Sequence, residues 1–294
     1  MAEITVLQQQ AEITVPQQQK LFVPVGHFYS PIPSSEEVVR DLPTVFGTIL
    51  RSIPGIDLRE QEQLNFLKQC IPFYKEMPFK DTKTEGLRYY FDNPAYSYSD
   101  ATLLYCMIRA AKPKRIIEVG SGFSSCAMLD TNDIFFESSI ETTFIEPYPE
   151  LVQSLIKDSD KSKTKILSTR LQDVDLGEFK KLEANDILFI DSTHVSKFNS
   201  DVNCALFNIL PCLAPGVLIH FHDIFFPFEY IKEWVLEGRA WNEAYMLRAF
   251  LQYNKAFEIV LMNTYMEYFH QPFFEENMPL CLKNRGGSIW IRRT

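Results

Sequence analysis

From about residue 99 onward, short apolar runs alternate with stretches of helical spacing. "SDATLLYCMIRAAK" reads as an N-capped helix, and "RIIEVG" just after it as a short buried strand. The rhythm then repeats. "TTFIEP", "TKILST", "DILFID", "GVLIHFHD", "FEIVLMN" and "GSIWIRR" read as strands, with helices near residues 124–131, 149–157, 199–213 and 230–253. Apolar strands separated by helices predict an α/β fold with a mainly parallel sheet covered on both faces. The last two strands are joined by a long connection holding no convincing helix, and a connection of that kind lets the final strand run antiparallel.

The first third of the chain follows a different pattern. Residues 2–10, AEITVLQQQ, recur almost unchanged as residues 11–19, AEITVPQQQ, a polar Gln-rich duplication expected to form a flexible tail over residues 1–19. "LFVPVGHFYSPIPSSEEVV" is a proline-punctuated aromatic loop, and Ser34 or Ser35 ahead of Glu36 and Glu37 has the form of a helix start. Helical spacing follows around residues 36–50 and 59–76. Without strand-helix alternation, residues 20–94 are expected to form a helical cap or lid over a main domain of residues 95–294.

Composition narrows the choice of partner. The chain has 294 residues, 46% hydrophobic and 14% aromatic, enough apolar material for a sizeable core. Its formal charge of −9 opposes attachment to phosphate backbones, so nucleic acid is not an expected partner. Six cysteines (Cys70, Cys106, Cys126, Cys204, Cys212, Cys281) include no CxxC pair, and several lie inside apolar runs, as expected of a reduced cytoplasmic protein. No uncharged stretch approaches the roughly 20 residues needed to cross a bilayer, so no membrane partner is expected either. A homodimer is one arrangement open to it.

In an open parallel sheet, ligands bind beyond the carboxyl ends of the strands. The first of these ends reads "EVGSGFSS". Gly120 and Gly122 give a tight turn that lets the backbone approach a ligand, and Ser124 opens the next helix; an ordinary strand-to-helix turn has the same residues. Glu118 suits a cationic amino acid moiety better than a pyrophosphate. The second strand ends at Glu146, about 24 residues after Gly122, where a carboxylate can accept both hydroxyls of a ribose or simply be solvated. Asp173 in "RLQDVDL" can accept from an adenine amino group or be a plain loop residue.

The ordered set EVGSG, FIEP, LQD and DILFID resembles the class I S-adenosylmethionine-dependent methyltransferases over roughly residues 95–294. The resemblance implies a Rossmann-like, doubly wound sheet of seven strands with the last antiparallel, and S-adenosyl-L-methionine as cofactor. It places Glu118 and the turn of Gly120, Ser121, Gly122, Phe123 and Ser124 at the methionine end, Glu146 at the ribose, Asp173 at the adenine and Asp191 at the cleft edge. Tyr98 and Asp100, at the start of the preceding helix, are further candidates for donor contact. A nicotinamide-dependent oxidoreductase is the alternative enzyme, disfavoured by Glu118 and by Ser125 where a dinucleotide turn has its third glycine. A catalytically idle donor-binding interaction protein is the alternative from another class.

Histidines cluster at two strand ends. "FIDSTH" puts Asp191 at the edge of strand four and His194 three residues later. In "GVLIHFHD", His220 and His222 share one face by strand alternation while Asp223 takes the other, unless the bending chain brings His222 and Asp223 together at the rim with His220 deeper. With strands four and five as neighbours, as the resemblance implies, Asp191, His222 and Asp223 form a set able to hold magnesium, manganese or iron. The set is similar to that of metal-assisted sugar and natural-product O-methyltransferases, whose DxxH after strand four supplies a metal ligand and a base. Here His222-Asp223 stands where those have an acidic pair. A metal-free acid/base cluster of Asp191, His194 and His222, and a purely structural role, are the other readings. His194 is the expected general base. Aromatic segments 26–33, 89–100 and 225–234 suit the walls of a pocket for a small-molecule acceptor, although they suit plain packing as well; His27 fits a surface loop better than a lid.

Overall fold

The computed structural model describes residues 21–294. The expected Gln-rich tail lies outside the described residues.

All seven expected strands form, in one sheet of order β3-β2-β1-β4-β5-β7-β6. They are β1 (Arg115–Val119), β2 (Glu141–Ile145), β3 (Thr164–Leu167), β4 (Ile187–Ile190), β5 (Leu218–His222), β6 (Phe257–Met262) and β7 (Ser288–Arg293). β7 runs antiparallel to both its neighbours, and the other pairs are parallel. Every residue of β4 and β5 is buried, so both faces of these central strands are covered; β4 is a continuous apolar run, and β5 carries His220 and His222 into the interior. Strand order reverses between β1 and β4, and that switch opens the crevice in which the site lies.

Helices cover the sheet. In chain order they are α1 (Ser35–Val45), α2 (Glu60–Lys75), α3 (Tyr98–Ala111), α4 (Phe123–Phe136), α5 (Glu150–Leu155), α6 (Leu176–Phe179), α7 (Asp201–Cys204), α8 (Lys232–Leu236), α9 (Glu243–Leu251), α10 (Asn263–Phe269) and α11 (Gln271–Asn277). Ser34 caps α1 in a reciprocal capping box with Glu37. The helix stops at Val45, short of the expected end, with Gly47 just beyond it. Its residues are all at least partly exposed. α2 differs: Leu67 and Cys70 are fully buried, and Gln63 accepts from the Met262 amide of β6 at 2.7 Å. It is part of the main body rather than a lid.

One expectation is corrected. The helix read over 230–253 is two helices, because Gly238 takes the left-handed conformation (φ +81°) and turns the chain between them. The connection from β6 to β7, in which no helix of convincing length was expected, holds two short ones, α10 and α11. Each is only seven residues long, and Pro272 starts the second in a position that needs no backbone donor.

One buried charge cluster pins the loop after α2 to the domain. Arg88 pairs with Asp130 of α4 at 2.6 Å, with Asp133 at 2.9 Å and with Asp160, and the backbone amides of Arg88 and Tyr89 both donate to Asp130. Arg88→Met would leave Asp130 and Asp160 buried without their countercharge. We expect a loss of about 3–5 kcal/mol, measured by urea denaturation. A second effect concerns pH. Burial pushes the Glu267 carboxyl of α10 from its ordinary 4.5 up to about 8, with one oxygen accepting from Ser99 and the other lacking a partner among the described residues. A raised carboxyl favours folding while protonated, so its contribution is full below pH 4.5 and is lost as pH rises through about 8. Glu267→Gln should flatten the decline of the melting temperature across that window; an unchanged pH profile would refute the assignment.

Candidate functional site

The crevice begins at the end of β1. The Gly120 amide bonds to the Ile145 carbonyl of β2 at 3.0 Å, and the Asp191 amide after β4 bonds to the Val119 carbonyl at 2.8 Å. Gly120 has φ +79°, and a Cβ there would lie 1.7 Å from the Asp191 carbonyl oxygen, so only glycine fits. Gly122 is extended, and a Cβ would make ordinary contact there. A cleft of about 580 Å³ extends from this turn across the ends of β1, β2 and β4; Gly120, Glu146, Gln172, Asp191, Thr193 and Phe198 are among its walls.

Glu146 stands in the cleft as expected, accepting from the Ser121 amide at 3.2 Å and the Tyr148 amide at 2.9 Å. Glu118 does not reach it. Its carboxyl is fully buried, accepts from the hydroxyls of Ser124 (2.5 Å) and Ser125, and is pushed by burial up to about 8. Asp173 is outside the cleft as well: it pairs with Arg170 at 2.8 Å, and Gln172 lines the wall instead. Phe123 is buried, edge-on to Tyr90. The Tyr98 hydroxyl donates to Asp92 at 2.8 Å, and its ring stacks on Phe91. Asp100 is buried beyond the cleft, accepting from Asn263 at 3.0 Å and the Gly287 amide at 3.2 Å, with its charge acting on His222.

A second cluster sits where β4 and β5 end. His194 Nε2 lies 3.5 Å from Asp191 Oδ1 and 3.4 Å from Asp223 Oδ2, while Nδ1 is 2.9 Å from Glu243 Oε2. One ligand atom from each of Asp191, His194 and Asp223 fits within a 4.8 Å span. The trio expected from the sequence had His222 in place of His194. The loop after β4 turns back at His194 (φ +59°), which inserts its ring between the two carboxylates, and His222 lies to the side, 3.6 Å from the other oxygen of Asp223. Asp223 is also left-handed (φ +55°). Two such non-glycine residues in contact cost about 1–3 kcal/mol each and mark a site held in place by its surroundings.

Electrostatics follow from burial and countercharge. Burial alone would lower the proton affinity of His194, but the hydrogen bonds its ring donates to Asp191 and Glu243, with the charges of Glu243 and Asp223, outweigh it and push the imidazole up to about 10. His222 is also raised: burial is outweighed by the charges of Asp191, Asp223 and Asp100. His220 behaves in the opposite way. Its ring stacks on Phe189 at 4.0 Å and against Trp290, its partners across β4 and β7, and burial drives its proton affinity far down. It is a neutral core residue.

Glu243 and Trp241 are the neighbours of His194 that the sequence reading missed. The Trp241 ring lies 4.5 Å from the imidazole, and the amides of Asn242 and Glu243 both donate to the His194 carbonyl. Asn242-Glu243 after Gly238 is a helix start that could have been recognised, had the 230–253 run been broken there. Of the aromatic segments, residues 31–33 and Tyr230 line one pocket, Phe91 and Tyr96 are core, and His27 is on a surface loop with exposed Phe28 and Tyr29.

A family model described as a methyltransferase domain matches residues 117–224, the span from β1 to just past β5. An uncharacterized protein of Archaeoglobus fulgidus is 37% identical over 173 residues, covering 57% of this chain and 76% of that protein. Among solved structures, SAH-bound methyltransferase PaMTH1 of Podospora anserina aligns over 90% of this chain and 99% of its own, with 15% identity and a TM-score of 0.43. The O-methyltransferase TomG of Streptomyces achromogenes, in complex with SAM, aligns over 86% and 96%, with 13% identity and a TM-score of 0.43. With the glycine turn at the end of β1 and the antiparallel β7 between β5 and β6, the chain belongs to the class I S-adenosylmethionine-dependent methyltransferases.

Proposed function

We propose that the protein moves the methyl group of S-adenosylmethionine to an oxygen of a small-molecule metabolite. One observation carries this proposal: the Asp191, His194 and Asp223 cluster adjoins the cleft at Asp191, so an acceptor-activating group lies directly beside the donor site. In this proposal Glu146 accepts the ribose hydroxyls, Gln172 takes the adenine end assigned from sequence to Asp173, and the turn of Gly120 to Gly122 lies against the methionine end, the missing side chain of Gly120 leaving the backbone open to close approach. Glu118 acts through the turn, which it fixes by way of Ser124 and Ser125. Methyl transfer is an in-line displacement, and the protein's main contribution is alignment of the two reactants.

The cluster also suits a divalent cation. Two carboxylate oxygens and an imidazole nitrogen are a hard-to-borderline donor set, matching magnesium, manganese or iron. When bound, such an ion polarises an acceptor hydroxyl and lowers its pKa. His194 holds its proton up to about pH 10 between these carboxylates, so as a base it acts in the fraction that has lost it. Cation binding to Asp191 and Asp223 competes with that proton. Glu243 keeps the ring oriented from behind.

Two outcomes test the proposal. His194→Ala should leave the Kd for S-adenosylmethionine within about threefold while lowering kcat by about 10²–10⁴, read by calorimetry and by product formation; equal losses in both would contradict a role confined to the acceptor side. Glu146→Ala should weaken donor binding by about 10- to 100-fold, the worth of one or two hydrogen bonds to a carboxylate, with the circular dichroism spectrum unchanged. Undiminished affinity in that variant would remove Glu146 from the donor site.

A further inference from the structure

The two ring nitrogens of His194 are held differently. Nδ1 lies 2.9 Å from Glu243 Oε2, an ordinary hydrogen-bond length, whereas Nε2 lies 3.5 Å from Asp191 Oδ1 and 3.4 Å from Asp223 Oδ2. The longer spacings are those of neighbouring ligands on one ion: two bonds of about 2.1 Å meeting at roughly 90–110° put their ends about 3–3.5 Å apart. Asp223 turns a single oxygen toward this gap, its other oxygen lying 3.6 Å from His222 Nε2. The gap opens to the cleft at Asp191, whose side chain is 31% exposed, and the Trp241 ring covers the imidazole from 4.5 Å.

The start of α9 makes the ring's orientation rigid. Glu243 is buried, and its Oε1 has no partner among the described residues, so the bond to His194 is the one side-chain hydrogen bond that this carboxylate makes there. Burying a carboxylate for one bond is costly, which sets the value of that bond to the fold or to the site. The amides of Asn242 and Glu243 also donate to the His194 carbonyl, at 3.0 and 3.1 Å, so the backbone and the ring of His194 are tied to the same turn. An imidazole that donates one N–H to a carboxylate presents its other nitrogen in a fixed tautomer and direction and with raised basicity, the arrangement that stands behind metal-binding histidines.

We infer that Glu243 is the positioning residue that makes His194 Nε2 a ligand of the cation site, and that the site therefore selects a borderline ion such as iron, cobalt or zinc over magnesium. The inference rests on the cation binding proposed above and narrows it. Magnesium is a hard ion that prefers oxygen donors and keeps several waters, whereas imidazole nitrogen suits iron and zinc; manganese stands between the two. An oriented nitrogen facing two carboxylate oxygens thus adds affinity for one class of ion and little for the other.

The test uses the full chain, freed of ions with a chelator and checked for folding by circular dichroism. Calorimetric titration should give a Kd for cobalt at least about tenfold below that for magnesium. Glu243→Gln, which keeps the size of the side chain, should weaken cobalt binding about 10- to 100-fold while the magnesium Kd moves within about threefold. His194→Ala should weaken cobalt binding at least as much. Loaded with manganese, the chain should show in pulsed electron paramagnetic resonance the coupling of a directly bound imidazole nitrogen, and His194→Ala should remove it. Magnesium bound as tightly as cobalt, no ion bound at all, equal losses for both ions in Glu243→Gln, or a nitrogen coupling that is absent from the unaltered chain or persists in His194→Ala would overturn the inference. Calorimetry with S-adenosylhomocysteine separates the two levels: a chain that binds the nucleoside without the ion preference refutes this inference alone, whereas a folded chain that binds neither nucleoside nor ion refutes the transferase function too.

Discussion

The candidate site is built on the close approach of two peptide segments, the turn at Gly120 and the strand end at Asp191. The Asp191 carbonyl occupies the volume that any side chain at Gly120 would need. The hydrogen bond from the Asp191 amide to Val119 fixes β4 beside β1 at that level. The glycine turn and the cluster of Asp191, His194 and Asp223 are thereby held on adjacent strands by backbone, which adapts less readily than side chains. Side chains around the cleft can vary without moving this frame.

Around that frame the chain gathers buried and half-buried ionisable groups. Asp191, His194, His222, Asp223, Glu243 and Asp100 lie in a region where isolated charges are costly, and they persist because each faces a countercharge or a hydrogen-bond donor. The directions of their shifts are consistent with this: Asp191 stays low because His222 and His194 overcome its burial, while Asp223 and Glu243 rise because burial dominates. His220 shows the contrast within the same strand. Two residues from His222, with aromatic rings as its sheet neighbours, it remains uncharged.

The sequence revealed the sheet almost completely, because seven short apolar runs with helical spacing between most of them leave few other architectures. Gly120, Glu146, Asp191, His194 and Asp223 were legible for the same reason: strand ends are where such residues face a crevice. Each misplaced residue has its own local cause. Asp173 has Arg170 one helical turn away, and a local ion pair directs the carboxylate away from the cleft, a choice that side-chain chemistry alone does not announce. Glu118 was correctly placed on its strand, but the hydroxyls of Ser124 and Ser125 close over it. The exchange of His194 for His222 depended on a left-handed turn, and Glu243 and Trp241 were hidden inside a run whose apolar spacing resembled one long helix.

The bond between His194 and Glu243 spans 49 residues of chain. During synthesis the two carboxylates facing His194 from β4 and β5 are complete well before α9 leaves the ribosome, so the imidazole waits without the partner that orients it. A chain halted ahead of α9 would carry the recognisable methyltransferase segment and still lack a set reactive centre. The segment from α9 onward, residues 243–294, must therefore be in place before the His194 ring is held from both sides.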